Sequence, residues 1–203
     1  GRRAGDLARL ESERPATQFG GTRKNLRSAN VPKRLPLPRG AFMVAKGTTL
    51  LSRDKKVTSS DDERIIGELE QITDGDKEGM EGSFVALGPG LQWVQIDLEK
   101  VAEIAAIVVW HAHAEPAVFR DVVVQVADDP DFVTNVRTIF NNDHDNSAGL
   151  GIGKQYEWIE TRDGKLIDAK GIRARYVRLY SNGSTSNDEN PYTEVEVFGK
   201  VAD

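Results

Sequence analysis

The 203-residue chain contains no cysteine. That absence excludes disulfide frameworks, thiolate zinc sites, iron–sulfur clusters and cysteine nucleophiles, and it leaves the compartment open because a domain of this size needs no covalent staple. Aromatic residues are sparse at 7%, so few large rings are on hand to cover a ligand. No apolar run approaches the roughly 18–20 residues needed to cross a bilayer. The polar, basic stretch that opens at Gly1 shows no signal-peptide pattern. Helical periodicity is also scarce, amounting to one or two turns near 62–71.

The net charge of −5 hides an asymmetry. Residues 1–40 hold ten Lys or Arg against three acids, a local charge of +7, and the remaining 163 residues carry −12. The same 40 residues contain four of the eight prolines and one aromatic, Phe19. Such a stretch buries too little apolar surface to offset its chain entropy, so residues 1–46 are expected to form an extended basic arm. A basic arm on an acidic body suits docking to another protein, with Arg23, Lys24, Arg27, Lys33 and Arg34 as the candidate contacts. Nucleic acid fits less well, because the arm has no interleaved aromatics and the body is acidic.

From about Gly47 the pattern changes to short strands. Val94, Ile96 and Leu98 alternate with polar neighbours, which is the period-two mark of a half-buried strand, and Val122, Val124 and Val126 repeat the two-residue spacing around Val123 and Gln125. The runs 104–110, 137–140, 156–160, 176–180 and 194–198 complete the set. Short strands separated by Gly, Asn and Asp loops predict an all-β, antiparallel sandwich or barrel.

The segments Val57-Thr58-Ser59-Ser60, Ile72-Thr73-Asp74-Gly75-Asp76, Trp93 to Leu98, Ala174 to Leu179 and Thr193 to Gly199 occur in an order and spacing that resemble a discoidin domain, also called coagulation-factor type C or galactose-binding-like. The resemblance covers residues 47–200, leaving 201–203 as a tail. It implies an antiparallel jelly-roll β-sandwich of about eight strands, and a non-catalytic, extracytoplasmic module whose loops at one end bind glycans, lipids or proteins. The ligand stays open, since one fold hosts many functions.

The same resemblance implies a structural calcium held by the Gln71 carbonyl, Asp74, Asp76, the Thr193 carbonyl and Glu194. Where similar domains place a threonine this chain has Gly79, which offers only its carbonyl unless Glu78 or Glu81 substitutes. A hard cation taking six to eight oxygens suits that donor set. The alternative is a bare Asp-Gly tight turn.

His111, His113 and Glu115 form a second constellation. Residues two apart on a strand share a face, so the group reads as part of a polar ligand surface, as a metal or base cluster with His144, or as ordinary loop-end hydrogen bonding. The loop 141–154 is neither an EF-hand nor a P-loop nor a dinucleotide fingerprint, because Lys154 stands where the bidentate acid belongs and the glycine spacings are wrong. The loop 181–192 offers amides and hydroxyls suited to sugar hydroxyls, among them Asn182 and Asn190. In similar sugar-binding domains an aromatic just before the last strand stacks on the sugar, and Tyr192 matches by position; its other reading is packing at the sandwich edge.

No nucleophile stands beside a base, and no acid pair marks a pocket, so the chain reads as non-catalytic. Two readings of its binding remain. One is an extracytoplasmic accessory subunit docked to a larger assembly through the basic arm; the alternative is a carbohydrate-binding module using the loops at one end of the sandwich.

Overall fold

A computed structural model describes residues 4–16, 39–113 and 117–203. The arm residues Arg23, Lys24, Arg27, Lys33 and Arg34, together with Glu115, lie outside the described residues. The strands are β1 (Leu7–Arg9), β2 (Met43–Ala45), β3 (Thr49–Leu50), β4 (Val57–Ser59), β5 (Val85–Leu87), β6 (Gln92–Trp110), β7 (Val118–Phe119), β8 (Val123–Ala127), β9 (Arg137–Asn141), β10 (Trp158–Ile159), β11 (Lys165–Ser181), β12 (Asn190–Tyr192) and β13 (Glu194–Val201). Among the described residues helix is confined to short 3₁₀ turns, one of them Leu69–Ile72. All pairings are antiparallel.

A seven-stranded ladder runs β3-β13-β6-β11-β8-β9, with β4 pairing the first part of β6. Its two long strands, of 19 and 17 residues, each serve two partners. The first part of β6 faces β4 and the second part of β11, while the second part of β6 faces β13 and the first part of β11. Register breaks separate the halves, and Glu99, Lys170 and Gly171 adopt positive φ there. Extra residues at such bulges bend a strand. Val94, Ile96 and Leu98 from one half of β6 therefore meet Ile104, Ile107 and Val109 from the other in a single buried core, which makes the architecture a β-sandwich.

A clamp fixes the bend. Arg175, at the break in β11, donates from Nε and Nη2 to the two carboxylate oxygens of Asp97 at 2.8 and 3.0 Å, and Asp97 also accepts the Glu99 amide at 2.7 Å. The guanidinium bond holds the Asp97 carboxyl below the usual carboxylate range. Its stabilisation is therefore present above the ordinary carboxylate pKa and is lost as pH falls through the depressed value.

A further break between Phe198 and Gly199 inserts one residue in β6 near Ala105. Because side chains alternate with period two, one added residue flips the faces beyond it. Val108 and Trp110 consequently point away from the main core and join Phe198 in a second cluster, packed by Leu50, Leu166 and Leu10.

Leu10 belongs to the segment before Gly47. The described parts of that segment lie on the sandwich: β1 pairs with β2, Ser12 Oγ donates to Glu196 at 2.7 Å, and the Glu13 carbonyl accepts from Lys77 Nζ at 2.7 Å. Lys77 also bridges to Glu196 at 3.0 Å and stands 4.6 Å from the centre of the Trp110 ring. Side chains of that ion pair are only 8% and 5% exposed. A desolvated pair of this kind needs every remaining donor and acceptor satisfied, and Ser12 and Glu13 supply two of those bonds.

Removing one partner of a buried pair strands the other charge. Lys77→Met is expected to lower the unfolding free energy by about 3–5 kcal/mol in urea titrations, and Lys77→Met with Glu196→Leu to cost far less. A loss under about 1 kcal/mol in the single variant would show the pair to be solvated.

Candidate functional site

The bend sends both ends of β6 and β11 to the same end of the sandwich, and loops gather there. Three of them are bonded together. The Arg120 amide donates to the Gly183 carbonyl at 3.0 Å and the Asn182 amide returns the bond to Arg120. Asp121 accepts from the Asn182 side chain at 3.0 Å and from Ser147 Oγ at 3.1 Å. Asp143, fully buried, accepts from Ser147 N and Oγ and from Ala148 N at 2.8–3.1 Å. Gln155 closes the long loop by exchanging bonds with Asn141. The Gly-rich 141–154 stretch is thus tied down by its own Asp and Asn side chains.

This end carries exposed groups of several kinds. Arg120, Asp145, Lys154 and Gln155 face solvent, and the Tyr156 ring is 65% exposed. Tyr156 reads from the sequence as part of a strand over 156–160, but pairing starts only at Trp158, opposite Phe119. The ring therefore sits in the loop instead of a sheet, beside the bond between His144 and the Gln155 carbonyl.

Several expected ligand residues lie inside the protein. Tyr192 is 0% exposed, with its hydroxyl 3.1 Å from Ser181 Oγ and donating to the Leu179 carbonyl. The expectation of a sugar-stacking ring is corrected here: pairing of β12 with β5 turns Tyr192 into the core. His111 is equally buried, stacked 4.6 Å from Phe119 and edge-on to Trp158 at 4.9 Å. His113 is buried too, with Nε2 2.6 Å from the Lys77 carbonyl. Neither imidazole faces a ligand, because the chain turns inward where β6 ends. Asn190 spends its whole amide internally, accepting from Ser181 and Gly183 and donating to the Gly88 and Gly90 carbonyls. Asn182 is half-buried at the loop cluster.

The expected calcium donors are partly assembled. Gly75 has φ of 91°, and Asp74 accepts the Asp76 amide at 2.8 Å, as in an Asx turn. Glu194 Oε1 is buried without a hydrogen-bond partner. Burial, then the nearby Asp74 charge, pushes the Glu194 carboxyl up to about 9. Burial likewise raises the Asp74 carboxyl. An orphaned, charge-crowded carboxylate suits a divalent cation. Other members are engaged elsewhere: the Asp76 carboxylate bonds Glu78 N and Ser83 Oγ, the Gln71 side chain bonds Glu68 N and the Gly82 carbonyl, and Thr193 Oγ1 bonds the His111 carbonyl. The carbonyls expected of Gln71 and Thr193 remain the relevant donors. Gly79 has φ of 69° and a Cβ there would stand 3.0 Å from the His113 ring, so a side chain at this position would be strained and crowded. Arg53 lies over the turn, with Cζ 2.6 Å from where a Gly75 Cβ would be, and its charge favours ionised Asp74 and Glu194.

Among the described residues, one group of three potential metal ligands has donor atoms within 4.8 Å of one another: Asp121, Asp143 and Asp145. It includes none of the histidines. No helix among the described residues is long and apolar enough to cross a membrane.

No family model and no curated protein matches the chain. Solved structures share its fold. A family 89 glycoside hydrolase from Clostridium perfringens matches 75% of the chain at 17% identity and a TM-score of 0.56, although the chain spans only 15% of that enzyme. Chitosan-binding module 1 from a chitosanase/glucanase of Paenibacillus sp. IK-5 matches 74% of the chain and 99% of its own length at 20% identity and a TM-score of 0.53. A fucose-binding module from Streptococcus pneumoniae matches 73% and 96% at 17% identity and a TM-score of 0.50. Identities this low establish architecture alone. By its fold the chain is an antiparallel β-sandwich of the architecture these modules share.

Proposed function

We propose that this chain is a non-catalytic carbohydrate-binding module, and that the joined loops 120–122, 143–157 and 182–189 form its sugar-binding surface. The observation that carries the reading is Tyr156: an exposed ring on an internally bonded polar loop, at the end of the sandwich where the long strands terminate. A ring in that setting covers the apolar face of a sugar while neighbouring donors and acceptors such as Arg120, Asp145 and Gln155 take its hydroxyls. The names of two fold neighbours, a chitosan-binding and a fucose-binding module, agree with it. Polysaccharide met outside the cytoplasm is the corresponding setting.

Calcium is proposed at Asp74, Asp76 and Glu194 with the Gln71, Gly79 and Thr193 carbonyls. Its role is to neutralise the buried Glu194 carboxylate and so fasten the 71–79 turn to the start of β13. Support comes from the unpartnered Glu194 oxygen.

A second reading, in which the basic segment docks an acidic partner protein, is favoured by one feature. Arg14 and Arg39 both contact Asp163, so the two ends of 17–38 are anchored at one place. That stretch carries five basic residues and no acid.

Three measurements separate these readings. Titration against a panel of neutral and charged oligosaccharides is expected to yield a saturable ligand, with Tyr156→Ala weakening it about tenfold, on the order of 1.4 kcal/mol, at unchanged melting temperature. No ligand in the panel, or equal binding by the variant, would sink the glycan reading. Calcium at a hundredfold excess over Kd should stabilise by ~2.7 kcal/mol and raise Tm by roughly 5–10 °C, and Glu194→Gln should remove the shift; the same Tm with calcium and with chelator would exclude the ion. For docking, replacing Arg23, Lys24, Arg27, Lys33 and Arg34 by Glu should abolish retention of an acidic partner in pull-downs, and undiminished retention would rule the segment out.

A further inference from the structure

A small polar cleft lies between the two described N-terminal segments, and none of the residues of the loops above lines it. Its volume is about 80 Å³, and Arg9, Glu11, Ser12, Arg14, Arg39 and Asp163 supply its polar walls. One residue, Asp163, holds both Arg14 and Arg39 there. Asp163, whose side chain is 7% exposed, ion-pairs with Arg14 Nε and accepts the Arg39 amide at 3.2 Å, while its carbonyl accepts from Arg39 Nη1 at 2.9 Å. Burial is the main cause that lowers the Arg39 pKa; the Asp163 charge opposes it, and the Arg14 charge adds to it. Arg9 lines the same cleft, and among the described residues its side chain makes no ion pair or hydrogen bond, with Glu11 included. Three guanidiniums thus line a cleft whose own walls carry two carboxylates, Glu11 and Asp163, with Glu196 acting on Arg39 from beside it, and guanidinium N–H donors are left to spare.

We propose that this cleft is an oxyanion-binding site formed by Arg9, Arg14 and Arg39. Planar guanidiniums present forked donors that match the oxygens of a sulfate, phosphate or carboxylate. The walls of this small cleft are almost wholly polar, which suits an oxyanion. The bound group is either a free inorganic ion or the charged substituent of a larger acidic saccharide lying across the opening. In both cases it bridges the segment that carries β1 to the one that leads into β2, offsetting the Arg14–Arg39 repulsion.

The test is isothermal titration of the full chain with sodium sulfate at constant ionic strength in chloride, because sulfate at high concentration stabilises any protein by exclusion. Arms with a sulfated disaccharide and its unsulfated counterpart identify the source. Expected is saturable one-to-one binding of sulfate, weakened at least fivefold in Arg9→Gln. That variant leaves the contacts of Asp163 in place and should melt with the wild type. Binding of the sulfated but not the plain disaccharide assigns the site to a saccharide substituent, and binding of inorganic sulfate alone assigns it to a free ion; either supports the site. Absence of saturable sulfate binding, or equal affinity in Arg9→Gln, overturns it. Tyr156→Ala should leave sulfate binding unaltered, so this site and the proposed glycan surface fail independently.

Discussion

Two strands of this protein are long enough to reach across both layers of the sandwich, and the way they bend decides where everything else lies. A strand of 19 residues left straight would present one face to a single layer. Extra residues around Glu99 in β6 break the ladder opposite Arg175, the Asp97–Arg175 clamp locks that break, and Lys170-Gly171 in β11 bulge out opposite Ala105. Folding each strand back gathers its two halves around one core and brings its two ends together. Loops 120–122, 143–157 and 182–189 share one edge of the molecule for that reason, although they come from distant parts of the chain.

The second bulge, near Ala105, has a different effect. By flipping the alternation it turns Trp110 and Val108 outward, onto a face that would otherwise be polar. Leu10, Ser12 and Glu13 then cover what the bulge exposes, and Lys77 and Glu196 become buried beneath them. The N-terminal segment is in this sense the complement of a one-residue insertion some ninety positions away. Its basic character, so prominent in composition, is used locally at Asp163 and leaves an arginine surplus at the cleft.

The sandwich was legible in the sequence because period-two alternation reports a sheet with one wet face, and Val94-Ile96-Leu98 shows it cleanly, whereas β8 is buried on both faces and its valines run together. Segments 92–98 and 104–110 read as two strands, since the bulge at 99–101 interrupts alternation without ending the ladder. The first half of β11 was not legible: Lys165 to Lys170 carries charges on its open face and a positive-φ residue at its end. Site residues were harder still. Tyr192, His111 and His113 have polar atoms that suggest exposure, but each finds its partners or ring contacts inside. Tyr156 carried no signal beyond being a lone ring after a Gly-rich loop. Contacts of Arg14, Arg39 and Lys77 depend on chain separations that no local pattern encodes.

If the chain binds carbohydrate as proposed, the edge where the long strands end is the surface that meets it. Backbone amide NMR of the full chain, titrated with the best-binding oligosaccharide, tests it directly. The account predicts shifts confined to residues 120–122, 143–157 and 182–189, centred on Tyr156. Shifts centred instead on the outer face around Trp110, or on the bend near Glu99 and Gly171, would contradict it.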